Sequence, residues 1–228
     1  MSRLFLRIRL SLCLFVPASC QPWVDDSQRA ELAGTNLVDI SRFDPSLRIA
    51  LQYKEAHNFS GRPLYHRDFP ALLHRNTAKR LKKAHQLLRK HNLRMVIWDA
   101  YRPHETQLAL WDACGHDDRY VANPMRQPSL HSHGCAVDLS LEHLDGTPAL
   151  VPTKFDEFSP RAASDYAHPN PLVRQNMKHL KEAMWAAGFG TLPHEWWHFM
   201  DQDYRELPFI PSDSLPSALQ TMIRFPTP

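Results

Sequence analysis

Apolar positions recur at helical spacing in three stretches of the chain. Between residues 76 and 91 they fall at Ala78, Leu81, Ala84, Leu87 and Leu88, with lysines and arginines on the other side. That spacing predicts an amphipathic helix with Asn76 as its N-cap. Residues 104–113 resume the spacing through Leu108 and Trp111. Residues 171–187 carry Val173, Met177, Leu180 and Met184 before Gly188, a helix with a glycine stop. Between these helices the pattern shortens. Residues 93–98 (LRMVIW) form a short apolar run ending at Asp99, and residues 136–141 alternate, so both read as strands. Residues 47–53 alternate weakly and suggest a third strand. Helices and short strands are mixed without a βαβ rhythm. The expected fold is therefore α+β, a single domain with a small antiparallel sheet flanked by helices.

Composition sharpens this picture. The chain has 228 residues, 43% hydrophobic and 22% charged, ordinary values for a globular protein with one core. The formal net charge is +3, but Arg3, Arg7 and Arg9 supply all of it; the remainder carries 24 basic and 24 acidic residues. A neutral body argues against a nucleic-acid partner. No apolar run approaches the roughly 18 residues of a membrane span. The 7 glycines make no phosphate-binding loop, whereas 14 histidines turn attention to metal chemistry.

The N-terminus reads as a targeting segment. Three arginines precede an apolar stretch, residues 10–16, and then Pro17-Ala18-Ser19-Cys20. This is the order of a secretory signal over residues 1–19. Two cleavage readings stand: a lipoprotein site with Cys20 acylated as a lipid anchor, and conventional cleavage near Ala18. Pro17 occupies a place where the first usually has an aliphatic residue. Residues 20–36 look like a loose leader, and residues 37–228 like the folded domain. Export to the periplasm or cell envelope would permit disulfides. Only Cys114 and Cys135 stand in the body, so one bridge and two free buried thiols are the alternatives.

Two motifs carry the chemistry. Residues 129–138 read Ser-Leu-His-Ser-His-Gly-Cys-Ala-Val-Asp, a turn bearing His131 that leads into a strand bearing Asp138. Residues 195–198 read Glu-Trp-Trp-His. Two imidazoles and one carboxylate leave the fourth position of a tetrahedral zinc open, as in catalytic sites. Glu195 is then spare for proton transfer. One geometric objection arises: residues three apart in a regular strand face opposite sides, so Glu195 and His198 converge only across a bulge, a strand end or a helical turn. Each motif alone is a weak signal in so histidine-rich a chain.

Together, SxHxxGxAxD and ExWH resemble the D-alanyl-D-alanine dipeptidases, zinc peptidases related to D,D-carboxypeptidases and to the hedgehog signalling domain. Residues 53–63 (YKEAHNFSGRP), the Asp99-Ala100-Tyr101-Arg102-Pro103 turn and Phe155-Asp156 extend the likeness in order. The resemblance implies one zinc per chain on His131, Asp138 and His198. It implies Glu195 as general base, Arg102 as donor to the oxyanion, and Asp156 as partner of the substrate ammonium, with Ser129 and Tyr53 beside it. The implied partner is a small dipeptide, D-Ala-D-Ala, hydrolysed to two D-alanines during wall-peptide turnover. A D,D-carboxypeptidase or peptidoglycan endopeptidase acting on longer peptides is the alternative. Arg102 has a competing role in an ion pair with Asp99 or Glu105. His133 stands where the family often has Arg and shares a strand face with His131, while His194 beside the base reads as a supporting or exposed residue. Trp196 and Trp197 read as pocket wall or core.

Overall fold

The computed structural model describes Leu32 and residues 34–223. The targeting expectations for residues 1–19 and Cys20 lie outside the described residues. Leu32, inside the expected leader, is only 5% exposed and packs in the core, so packed chain begins before residue 37.

Among the described residues, seven strands and five α-helices follow in the order β1 (Leu37–Asp39), α1 (Ile40–Phe43), β2 (Arg48–Ile49), β3 (Leu72–His74), α2 (Arg75–Arg89), β4 (Leu93–Asp99), α3 (His104–Ala113), β5 (Ala136–His143), α4 (Pro171–Ala186), β6 (Phe189–Leu192), β7 (Glu195–Asp201) and α5 (Ser217–Gln220). The principal sheet has five strands in the order β2-β4-β5-β7-β6, and β1 pairs with β3 in a separate ribbon. All pairings are antiparallel except β2 with β4, which is parallel. The expected α+β domain is present, with this one parallel pair at the edge of its sheet. The weak strand of residues 47–53 contracts to Arg48–Ile49, because Gln52–Lys54 closes into a 3-10 turn.

Helix α2 buries Thr77, Ala78, Leu81, Ala84, His85 and Leu88 and packs on β4 and α4. It starts one residue before the expected Asn76. Its cap is His74, whose Nδ1 accepts from the Asn76 amide, so an imidazole does what the asparagine was expected to do. Asn170 caps α4 by accepting from the Leu172 amide. Gly188, at φ +90°, ends that helix in a conformation only glycine adopts cheaply.

Alternation along β5 separates two chemistries. Val137, Leu139 and Leu141 belong to the apolar core. Asp138, Ser140 and Glu142 therefore share the opposite face. At the far end of that face Glu142 accepts from Arg94 Nε at 2.6 Å and Arg48 Nη1 at 2.8 Å, fastening the β2 edge. At the near end Asp138 pairs in register with His198 of β7. The β4–β5 ladder slips between Ile97 and Asp99, which sets Asp99 opposite Asp138.

Candidate metal centre and active site

His131 is carried by a 3-10 turn, Leu130–His133, built by its neighbours. Ser129 Oγ accepts from the His131 amide at the front, and Gly134 closes the back at φ +66°. A side chain at Gly134 would be 2.7 Å from Leu37 Cδ2 and 2.9 Å from the His74 backbone nitrogen, the same nitrogen that donates to the Gly134 carbonyl. The turn therefore tolerates only glycine there.

From this turn, from β5 and from β7, three buried side chains meet. His131 Nδ1 donates to the Ala100 carbonyl at 2.7 Å, which leaves the Nε2 lone pair bare. That Nε2 lies 3.2 Å from His198 Nδ1 and 3.4 Å from Asp138 Oδ2, and His198 Nδ1 lies 3.0 Å from Asp138 Oδ1. One ligand atom from each falls within 4.8 Å of the others. A bare lone pair facing a carboxylate is unfavourable unless positive charge sits between them. Burial alone would raise the Asp138 carboxyl, but His131 and His198 outweigh it and hold it far below the usual range. Burial opposes the charged form of His198, yet Asp138 and Glu195 raise its pKa. The donor set fits a divalent cation, and these are the three ligands expected from the sequence.

Glu195 is the first residue of β7, with its Oε2 3.9 Å from His198 Nδ1. The β6–β7 ladder slips between Thr191 and Leu192, so Leu192 lies opposite Glu195 while Thr191 lies opposite Phe199. A strand end and a bulge together remove the objection that residues three apart diverge. Burial, with Asp138 adding to it, pushes the Glu195 carboxyl up to about 7. His198, Arg102 and the Trp197 side chain pull the other way.

Arg102 takes the ion-pair role weighed for it, with Asp99 as partner. Its Nε donates to Asp99 at 2.7 Å, its Nη1 to Gln107 Oε1 at 2.8 Å and its Nη2 to Asp138 at 3.3 Å, and Nη2 also lies 2.7 Å from Asp99. Glu105 is not its partner; it accepts from Ser212 Oγ instead. The guanidinium carbon also sits 5.2 Å from the centre of the Tyr53 ring. These contacts leave one Nη1 hydrogen for a ligand.

Tyr53 donates through its hydroxyl to Asp156 Oδ2 at 3.0 Å. Burial and the neighbouring Asp138 push the Asp156 carboxyl well above the usual range, despite Arg102 and the tyrosine. Tyr53, Arg102, Ser129, Asp156 and Glu195 line one small cleft of about 70 Å³ with the three candidate ligands.

His133 turns away from the centre: its Nδ1 lies 2.8 Å from the Leu207 carbonyl. A 3-10 turn, unlike a strand, does not put residues two apart on one face. His194 is exposed. Trp197 lines the cleft, whereas Trp196 is core and donates to Thr153. Cys114 and Cys135 are free thiols rather than a bridge, but only Cys135 is buried; Cys114 is half-buried. Two residues that line the cleft escaped the sequence reading. Gln107 carried no signal beyond its place in α3, and Phe59 was only one letter of the matched segment at residues 53–63.

Residues 33–212 match the family described as D-ala-D-ala dipeptidase. The chain is 35% identical over 165 residues to the D-alanyl-D-alanine dipeptidase of Escherichia coli (strain K12), covering 72% of this chain and 84% of that one. It is 25% identical over 171 residues to the enzyme of the same name from Enterococcus faecium, covering 67% and 84%. Among solved structures, a vancomycin-resistance D,D-dipeptidase in complex with a D-Ala-D-Ala phosphinate analogue aligns at TM-score 0.39 with 23% identity, over 58% of this chain and 51% of that one. That overlap is too slight to carry an inference. The family match spans both motifs and the turns that bear them, and with the relative at 35% identity it shows that the chain belongs to the D-ala-D-ala dipeptidase family.

Proposed function

We propose that this protein hydrolyses D-Ala-D-Ala to two D-alanines with one zinc per chain, held by His131, Asp138 and His198. The observation that carries the reading is the convergence of His131 Nε2, Asp138 and His198 Nδ1 beside Glu195 in one buried cleft. A zinc ion held there would supply Lewis acidity toward water and the scissile carbonyl.

The chain's own groups do the rest. Glu195 accepts a proton from the attacking water at its carboxylate and returns it to the leaving amine. Burial raises this carboxyl and so favours its taking up a proton. Arg102, immobilised by Asp99 and Gln107, aims its free Nη1 hydrogen at the developing oxyanion. Asp156 receives the substrate ammonium, and the Tyr53 hydroxyl holds that carboxylate in place. Ser129 completes the wall next to His131.

The test is incubation of the zinc-loaded protein with D-Ala-D-Ala, its N-acetylated form and a wall pentapeptide. Acetylation strips the ammonium and leaves Asp156 unpaired, a loss on the order of 3–5 kcal/mol when a buried pair is broken. The blocked dipeptide should therefore react several hundred-fold or more slowly. Equal rates, or preference for the pentapeptide, would establish the carboxypeptidase alternative. We also propose export, on the basic-then-apolar pattern of residues 3–20. An exported enzyme meets dipeptide released during wall turnover, which fits recycling or nutrition.

A further inference from the structure

The reaction cleft has a larger neighbour. A second cleft of about 750 Å³ reaches the same strand, β5, against the reaction cleft's 70 Å³. Along β5, Asp138 faces the reaction cleft and Ser140 the second one. Residues two apart on a strand are about 7 Å apart, so the two spaces are adjacent. Phe59 and Asp156 each border both spaces. Beyond them the second cleft offers Trp98, Phe155 and Val151, with Asn58 and Lys154 as polar and cationic groups.

We propose that Asp156 and Phe59 are a partition that sets substrate length, and that the second cleft is a latent subsite for the acyl or peptidyl group of N-acylated D-Ala-D-Ala. The inference rests on the dipeptidase reading above and deepens it. If Asp156 receives the substrate ammonium, the direction in which a longer peptide would continue from that nitrogen runs into the Asp156 side chain and then into the second cleft. Asp156 then excludes longer substrates twice over, by requiring a charge and by occupying the passage.

The backbone makes these two effects separable. Asp156 has φ +55°, a left-handed conformation that Asn and Gly also adopt readily. Asp156→Asn keeps the shape of the partition and removes its charge. Asp156→Gly keeps the backbone and removes both. Phe59→Ala opens the same partition from its other side while keeping the carboxylate.

The experiment measures kcat/KM of the zinc-loaded wild type and these three variants on D-Ala-D-Ala, N-acetyl-D-Ala-D-Ala and an N-acetylated tripeptide ending in D-Ala-D-Ala, with zinc content and thermal midpoint recorded for each. Both Asp156 variants should lose activity on the free dipeptide. On the acylated substrates Asp156→Gly should exceed Asp156→Asn by about tenfold or more, the discrimination one newly accommodated group ordinarily brings. Phe59→Ala should raise the acylated rates above wild type. If Asp156→Gly and Asp156→Asn act alike on acylated substrates, or if Asp156→Gly does not fold and Phe59→Ala gives no gain, the partition is overturned. A wild type that ignores the free dipeptide but cleaves the tripeptide would instead overturn the proposed function, an outcome visible before any variant is made.

Discussion

Replacing Glu195 with Gln should move activity and stability in opposite directions. The amide keeps the side chain's size and an oxygen for the Trp197 side chain, but it cannot take a proton. Loss of general-base catalysis costs about 10²- to 10⁴-fold in rate, equivalent to roughly 3–5 kcal/mol of barrier. Stability responds through the raised carboxyl. Its rise from the ordinary 4.5 to about 7 corresponds to about 3 kcal/mol. Because the folded pKa lies above the unfolded one, that stability is fully present below pH 4.5 and is lost as pH rises through 7. A glutamine never ionises and never loses it. Urea denaturation of the metal-free proteins should therefore find Glu195→Gln and wild type close together at pH 4, with the variant up to about 3 kcal/mol more stable at pH 8. The kcat/KM of the wild type should fall about tenfold per pH unit on the acid side, since the protonated carboxyl accepts nothing. A variant that keeps more than about a tenth of wild-type turnover, or that is less stable than wild type at pH 8, would refute the assignment of Glu195 as a base raised by burial.

Replacement of His131, Asp138 or His198 by Ala should abolish stoichiometric zinc, measured by elemental analysis, while Glu195→Gln retains it; two ligand variants that stay fully loaded would remove the centre. Gly134→Ala should cost about 2–5 kcal/mol, from the left-handed backbone and from overpacking against the His74 backbone. Gly188→Ala should cost less, because its nearest obstacle is the movable end of Arg80; the reverse order in denaturation midpoints would contradict this reading. If Cys20 is acylated, the protein should partition with membranes and Cys20→Ala should release it or stop its processing, whereas mature protein found in the cytoplasm with residues 1–19 intact would defeat both cleavage readings.

The sequence by itself determined the parts of this protein that depend on local periodicity and on residue chemistry. The helix at residues 104–113 and the strand beginning at Leu93 follow from short-range apolar spacing, and the structure has both. His131, Asp138, His198 and Glu195 were legible through the likeness of the two motifs together to the dipeptidase family, since either motif alone is a weak signal among 14 histidines. Tertiary structure decided what lies between elements. The slip in the β6–β7 ladder turns Glu195 toward His198, and nothing in four consecutive letters announces a register shift made against another strand. His133 would share a face with His131 had the segment been a strand; the 3-10 turn instead aims it at the Leu207 carbonyl. His74 displaced Asn76 as a cap because β3 delivers it to the start of α2. The parallel β2–β4 pair and the hold of Asp99 and Gln107 on Arg102 likewise depend on segments meeting across the fold. Spacing along the chain reports local geometry, and convergence is a property of register and packing that only the assembled sheet imposes.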